Sequence, residues 1–409
     1  MSNLLENLNE KQREAVLYTE GPVMAIAGAG SGKTSVLTTR IAYLIKKKNV
    51  EISNILAITF TNKAAREMKD RVLNLTDHLP SEMWISTFHS FCAKILRFHI
   101  ESLGYKRGFQ IIDDDDAKKI IKDILKEEKP DADVKELKQI RSKISKIKNK
   151  SNNNNNDFDR GNDLASEIYD EYQKYLFTNN LVDFDDLLLL TIELFKQFPE
   201  IKKIYNNKFQ YVLVDEFQDT NNVQYELVSL ILGDNKNIFI VGDEDQSIYA
   251  FRGANIKNIS KFKEDYPDYH IVLLEENYRS TNNILKAANQ IIEHNNNRIE
   301  KKLFSSKGDG EAIIKYKGAT ERDEVEYISK QILKLTRKGF KYSDFAVLYR
   351  MNNLSRMFED NFISKHIPYG IVGNTSFYKR REIKDFISYL RMILSSSDFF
   401  SFERAISNP

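Results

Sequence analysis

The chain has 409 residues, more than a single hydrophobic core usually organises, so we expect two or more domains. Its 61 Lys and Arg residues nearly balance its 59 Asp and Glu residues, which excludes a globally basic nucleic-acid-binding protein but not a local basic surface. The single cysteine, Cys92, excludes an internal disulfide, and a polar N-terminus without any long apolar run predicts a cytoplasmic protein with no membrane contact.

The N-terminal part of the chain alternates short apolar runs with helical patterns. Residues 9–17 predict a short helix, residues 22–27 a strand that ends in a glycine-rich turn, and residues 34–46 a second helix. A strand at 55–60 and a helix at about 63–75 follow. This alternation is typical of βαβ units and predicts an α/β domain with a parallel sheet.

The middle of the chain has a different pattern. From about 105 to 200, helical spacing without clear strands predicts a helical insertion into the α/β domain. A basic run at 135–150 within it has two interpretations, a face that contacts phosphates or a solvated helix surface. We favour the solvated surface, because the run lies beside an asparagine-rich, low-complexity loop at 151–157.

The α/β pattern returns after residue 200 and continues beyond a charged, glycine-containing linker at 305–311. The predicted elements are strands at 211–214, 237–241, 270–274, 312–316 and 344–349 and helices at 281–293 and 382–395. The elements after the linker predict a second α/β unit.

The turn after the first strand has the sequence AGAGSGKT and lies between a strand and a helix. Backbone N–H groups of such a loop surround nucleotide phosphates, and the positive end of the following helix adds to the attraction. A chance glycine turn is the alternative, and the first position is Ala where the pattern has Gly. We predict that ATP and Mg²⁺ bind here, with phosphate contacts from Ala27, Gly28, Ala29, Gly30, Ser31, Gly32, Lys33 and Thr34, and with Thr34 on the metal.

Two acids follow the strand at 211–214. Asp215 is placed to bind Mg²⁺ and Glu216 to polarise the attacking water. Alone, two such acids would equally suit a solvated strand end, but the phosphate loop upstream favours the catalytic interpretation. Gln246 is a candidate sensor of the γ-phosphate, and Arg279 is a candidate arginine finger.

In order along the chain, these segments resemble the motifs of superfamily 1 DNA helicases of the UvrD/Rep/PcrA type. The matching segments are LNEKQREAV (8–16), AGAGSGKT (27–34), AITFTNKAAREM (57–68), ISTFHSFC (85–92), VDEFQDTN (214–221), VGDEDQSIYAFRGA (241–254), ENYRST (276–281), AVLYRMNNLSR (346–356) and IPYGIVGNTSFYKRREIKD (367–385). This ordered set is far more specific than any one of its motifs.

The resemblance implies two RecA-like lobes with ATP between them and single-stranded DNA across them. It divides the chain into a first lobe at 1–105 and 196–276, a helical insertion at 106–195, the N-terminal part of a second lobe at 277–381, and the beginning of a second insertion at 382–409. It also implies nucleotide contacts from Gln12, Arg40, Tyr278 and Arg279, and DNA contacts from Phe60, Asn62, His89, Tyr249, Phe251, Arg252, Arg350 and Asn352.

The chemistry of the implied DNA contacts is consistent, because aromatic rings stack on bases and polar groups bind phosphates with little sequence preference. Outside this context, Phe60 or His89 would more simply be a packing residue. The chain departs from the family pattern at Phe251, where the family usually has Trp, so that stacking should weaken.

A larger departure is that segments like the family's motifs V and VI are not found, and we expect a C-terminally truncated helicase. The implied activity is ATP-dependent 3′→5′ movement on single-stranded DNA and at single/double-strand junctions, in repair or replication. With one of two arginine fingers missing, we expect slow hydrolysis and no unwinding by this chain alone. Two alternatives remain, the motor part of a helicase–nuclease and a non-catalytic single-stranded DNA clamp. Lys33, Asp215 and Glu216 argue against the clamp, since a clamp has no need of hydrolytic residues.

Overall fold

The computed structural model describes residues 4–76, 82–149, 163–295, 299–351, 354–372, 381–394 and 399–406. The chain divides into two compact units, residues 1–311 and 312–409. Residues 277–311, expected to begin a second lobe, therefore group with the first unit. The reason lies in their contacts with the phosphate loop, which are described below.

The first unit contains a sheet, the helices around it and a helical insertion. Its strands are β1 Val23–Ala27, β2 Ile55–Thr59, β3 Trp84–Thr87, β4 Gln110–Ile111, β5 Leu181–Val182, β6 Tyr211–Val214, β7 Ile238–Gly242 and β8 His270–Leu274. Its helices are α1 Glu10–Leu17, α2 Lys33–Lys48, α3 Asn62–Thr76, α4 Phe88–His99, α5 Asp114–Glu128, α6 Val134–Lys148, α7 Leu164–Thr178, α8 Phe184–Gln197, α9 Pro199–Lys208, α10 Asn222–Ile231, α11 Lys257–Asp265 and α12 Asn282–Ile292.

Six strands form one parallel sheet in the order β3-β2-β6-β7-β1-β8. The predicted parallel sheet and mixed α/β class are confirmed. The helical insertion also holds a small parallel pair, β4 with β5, which the helical pattern at 105–200 did not reveal. Because all strands of the large sheet run in one direction, the loops that follow them lie along the same edge.

Side chains on the two faces of the sheet enter two separate hydrophobic cores. In β1, Met24 and Ile26 belong to one core, whereas Val23, Ala25 and Ala27 belong to the other. Each face is covered by helices, so the four central strands β2, β6, β7 and β1 are buried along their whole length. This double burial explains the continuous apolar runs in the sequence, and it holds the loops at the edge of the sheet on a rigid support.

The second unit is helical in the residues that the structure describes. Its helices are α13 Glu321–Thr336, α14 Ser355–Ser364, α15 Arg381–Leu394 and α16 Phe399–Ile406. The strands predicted at 312–316 and 344–349 are wrong, because residues 312–316 and 345–349 form no strand in the described chain and Asp344 ends a short 3₁₀ turn. An apolar run becomes a strand only when another strand is available to pair with it. Their side chains remain largely exposed, as at Ile314 and Leu348.

Residues 135–148 of the basic run lie in α6, where the basic side chains are exposed or half-buried with one exception, and the choice between a solvated surface and a phosphate contact stays a prediction. Lys143 is exposed and pairs with Asp163 at 2.7 Å between Nζ and Oδ2. Lys148 is fully buried and pairs with Asp183 at 2.6 Å and with Asp186 at 2.8 Å. Lys148 therefore joins α6 to α8 inside the insertion.

Among the described helices, none is both long and apolar enough to cross a membrane.

Candidate nucleotide site and aromatic surface

The glycine-rich loop joins β1 to α2 at the edge of the sheet. Gly30 has a φ of +69° and Gly32 a φ of +86°, a region that favours glycine. A Cβ on Gly30 would lie 2.8 Å from the Cβ of Arg279. The Ser31 hydroxyl is buried and has no hydrogen-bond partner among the described residues. The backbone of the loop, the N-terminus of α2 and the unpaired hydroxyl together suit an anionic ligand that is rich in oxygen.

Gln12 lies against this loop because of how α1 begins. The Asn9 side chain caps α1 by accepting from the Gln12 backbone N–H at 2.8 Å, and the Gln12 side chain accepts from the Asn9 N–H at 3.1 Å. The Gln12 Nε2 donates to the Ser31 carbonyl at 2.8 Å. This contact ties α1 to the phosphate loop, while the expected contact with adenine stays a prediction.

The Arg40 side chain is held by the end of α1, and the nucleotide contact expected for it stays a prediction. Its guanidinium is buried and donates to the carbonyls of Ala15, Tyr18 and Thr19, at 2.7, 2.6 and 3.2 Å. Burial lowers its pKa to about 9. These carbonyls belong to the last turn of α1 and the residues after it, so Arg40 holds α1 against α2.

The two acids after β6 lie beside the phosphate loop. The Asp215 carboxylate is buried and accepts from the Thr59 hydroxyl at 3.2 Å. Burial, and then the neighbouring Glu216, raises the pKa of Asp215 to about 6. Glu216 has a φ of +48°, uncommon for a residue with a side chain, and its Oε2 lies 2.7 Å from the Lys33 Nζ. The strained backbone aims Glu216 at the loop lysine.

Gln218, which was not among the predicted site residues, connects these acids to the loop after β7. Its Nε2 donates to Glu216 Oε2 at 2.9 Å, and its Oε1 accepts from the Asp243 backbone N–H at 2.9 Å. The Gln246 side chain donates in turn to the Asp243 carboxylate. A polar residue in a short segment after two acids was the available signal. Only the folded structure shows that its amide joins two loops.

Residues 277–279 border the phosphate loop from the other side. The Asn277 side chain donates to the Ala29 carbonyl, and the Tyr278 backbone N–H donates to the Gly30 carbonyl at 2.9 Å. The Asn277 Oδ1 also accepts from the Arg279 backbone N–H at 2.9 Å. These contacts bring the predicted pair Tyr278 and Arg279 to the loop and explain why this segment groups with the first unit.

An aromatic surface lies along the same edge of the sheet. Phe60 follows β2, and its ring stacks on Tyr249 with centroids 5.7 Å apart. Tyr249 contacts Phe251 at 6.0 Å, and Phe251 is 78% exposed. Rings that are held in place yet exposed suit stacking with flat ligands such as nucleic-acid bases.

His89 extends this set of rings towards the helical insertion. Its ring contacts Phe184 edge-on at 5.8 Å, and burial lowers its pKa, which favours the neutral form. Phe184 is exposed at the start of α8 and was missed in the sequence, where it lies between Asp183 and Asp185 before an apolar run. Asn62 is exposed at the start of α3.

Comparisons with known proteins agree with this arrangement. A profile of the UvrD/REP helicase N-terminal domain matches residues 8–267, and one of the UvrD-like helicase C-terminal domain matches residues 272–409. The chain belongs to the UvrD/Rep helicase family. Proteins named ATP-dependent DNA helicase PcrA from Staphylococcus epidermidis and Staphylococcus aureus are 50% and 48% identical to it over 413 residues. These alignments cover the whole chain but only 57% of each relative's length.

Family membership confirms the resemblance drawn from the ordered motifs. The residues that were predicted to bind the nucleotide lie together around one loop, whereas the Arg40 guanidinium lies beneath α1. Five of the predicted DNA residues lie along the neighbouring edge, namely Phe60, Asn62, His89, Tyr249 and Phe251. Arg350 is exposed in the second unit. The side chain of Arg252 and all of Asn352 lie outside the described residues.

Proposed function

We propose that this chain is the ATP-hydrolysing part of a DNA helicase that moves on single-stranded DNA. One observation carries the proposal. A continuous series of side-chain contacts runs from Lys33 through Glu216 and Gln218 to Asp243, at the base of the loop with the exposed aromatic rings. A motor needs such a connection, because a change at the phosphates has to alter the grip on DNA. A clamp without hydrolysis has no need of it.

The proposed nucleotide chemistry follows from the charges around the loop. Lys33 and the backbone N–H groups hold the phosphates, and Glu216 orients and polarises the attacking water. Arg279 stabilises the charge that develops on the transferred phosphoryl group. Gln246 lies within reach of Asp243, where it senses the γ-phosphate in this proposal.

Mg²⁺ fits the acid pair. Asp215 is buried beside a second carboxylate, an environment that favours a divalent cation over an unpaired negative charge. Asp215 and the hydroxyl of Thr34 would hold the ion, which supplies positive charge to the phosphate oxygens when it is bound.

The proposed DNA contacts are Phe60, Tyr249, Phe251 and His89, together with Phe184 from the insertion. Base stacking on such rings contributes about 1–3 kcal/mol per base and tolerates any sequence. We further propose that Asn62, Arg252, Arg350 and Asn352 bind phosphates. The 3′→5′ direction, action at single/double-strand junctions, a role in repair or replication and a cytoplasmic location follow the family resemblance.

The first experiment measures ATP binding and hydrolysis by the chain with and without oligo(dT), with Lys33→Ala as the blank. We expect Mg²⁺-dependent nucleotide binding and only slow turnover, which DNA stimulates, with both reduced in the blank. A chain that binds neither ATP nor oligo(dT) would refute the proposal. Binding of DNA with no difference between the chain and the blank would instead support a clamp. Duplexes with a 3′ or a 5′ single-stranded tail then test the direction.

A further inference from the structure

A segment after α12, residues 299–305, contacts three parts of the nucleotide site, although none of the predicted site residues lies in it. The Ile299 backbone N–H donates to Glu244 Oε2 at 3.0 Å, within the loop after β7. The Phe304 carbonyl accepts from the Asn277 backbone N–H at 2.7 Å. Leu303 lies against the phosphate loop itself. The 299–305 segment therefore links the nucleotide site to the loop that leads to the aromatic surface.

Lys301 makes the ion pairs of this segment, and they are buried. Its side chain is 2% exposed, and its Nζ lies 2.7 Å from Asp243 Oδ1 and 2.7 Å from Asp245 Oδ2. Both carboxylates are themselves largely buried. Two buried negative charges in a short loop repel each other unless a cation lies between them. The position of this loop, and of Gln246 bonded to Asp243, therefore depends on the Lys301 ammonium.

Leu303 makes the contact at the other end. A Cβ on Gly28 would lie 2.1 Å from the Leu303 Cδ2, so the leucine fills the space beside the first glycine of the phosphate loop. The Leu303 carbonyl is held by the Asn289 side chain at 3.0 Å. Movement of the phosphate loop at Gly28 has to displace Leu303, and Lys301 is only two residues away.

We propose that the 299–305 segment couples nucleotide binding to single-stranded DNA binding, with Lys301 as a positioning residue for the loop that carries Tyr249 and Phe251. This inference rests on the proposed function. Lys301 touches neither ligand. It acts by holding Asp243 and Asp245, and thereby the start of the loop whose later residues present the aromatic rings.

The test measures the affinity of a fluorescent ATP analogue with Mg²⁺, with and without saturating oligo(dT). The ratio of the two dissociation constants is the coupling factor, which usually lies in the range of about 5–150-fold for linked sites. We expect a factor of about fivefold or more for the unaltered chain and one near unity for Lys301→Met. The matched control is Lys302→Met, because the neighbouring Lys302 is exposed. It should keep the original factor.

Two further variants distinguish a specific loss of coupling from misfolding. Lys301→Arg keeps the charge and should retain most of the coupling. Leu303→Ala keeps Lys301 but removes the contact with Gly28, and it should lose coupling with far-ultraviolet circular dichroism unchanged. If Lys301→Met does not fold, the coupling factor of Leu303→Ala tests the proposal.

The outcomes separate the two proposals. A folded Lys301→Met or Leu303→Ala chain with the original coupling factor would overturn the inference alone. So would an unaltered chain that binds both ligands without any coupling. An unaltered chain that binds neither ligand would overturn the proposed function, and the inference with it.

Discussion

Gln218 offers the sharpest test of how the site is assembled, because a single buried amide joins its two halves. The change Gln218→Leu keeps the approximate volume and removes the hydrogen bonds to Asp243 and Glu216, together with a longer one to Asp219 at 3.4 Å. The Asp243 backbone N–H then loses its acceptor in a buried place, which costs about 1–3 kcal/mol. The Glu216 carboxylate loses one donor, a bond to a charged group worth about 1.5–3 kcal/mol.

The second contribution has to be reduced, because the Glu216 side chain is 33% exposed and water replaces part of the lost bond. We therefore expect Gln218→Leu to lower the free energy of unfolding by about 2–3 kcal/mol. Urea unfolding followed by circular dichroism measures this change. Stimulation of ATP hydrolysis by oligo(dT) should also fall, because Glu216 and Asp243 are no longer connected.

Gln197→Leu is the matched control for this prediction, because Gln197 is exposed on α8 and its amide donates to Glu193 within the same helix at 2.8 Å. It should change the unfolding free energy by no more than about 0.5 kcal/mol. A Gln218→Leu chain as stable as the control, with full stimulation by DNA, would refute the role that we assign to the buried amide.

Three further predictions concern other parts of the first unit. Lys148→Met leaves its two aspartates buried without a cation, so it should destabilise the chain by about 3–5 kcal/mol in urea unfolding. Phe251→Ala should weaken oligo(dT) binding in a fluorescence anisotropy titration by about 1–3 kcal/mol, the value of one stacked base. Asp185→Asn should stabilise the chain at pH 7 by up to about 2 kcal/mol and have almost no effect near pH 4, because burial raises the Asp185 pKa to about 6.

The sign of the pH effect follows from linkage. An acid whose pKa is higher in the folded than in the unfolded chain binds more protons when folded, so the stability falls as the pH rises from about 4 to 6. The asparagine side chain of the variant stays uncharged, so the gain in unfolding free energy over the unaltered chain should develop between about pH 4 and pH 6. An equal effect of Asp185→Asn at both pH values would contradict this reasoning.

Matched controls exist for the other two changes. Lys143→Met removes an exposed lysine from the same helix and should be nearly neutral. Phe98→Ala removes an exposed ring of α4 away from the aromatic surface and should leave DNA affinity unchanged. Comparable effects of Phe98→Ala and Phe251→Ala on DNA affinity would remove the argument for a specific stacking surface.

The sequence by itself determined the features that depend on neighbouring residues. The apolar runs of β1, β2, β6, β7 and β8 and the loop from Ala27 to Thr34 are local patterns, and their order identified the family. Strand–helix alternation also determined that the sheet is parallel, since such connections return each strand in the same direction.

Only the tertiary structure decided which residues meet. The runs at 312–316 and 344–349 have strand composition, yet they form no strand in the described chain, because strand pairing depends on a distant partner. The family resemblance implies a nucleotide contact for Arg40, and only the fold shows that its guanidinium donates hydrogen bonds to three carbonyls at the end of α1. The roles of Gln218, Phe184 and Lys301 could not be predicted from neighbouring residues, since their contacts join segments that are far apart in sequence and are brought together only when the sheet assembles.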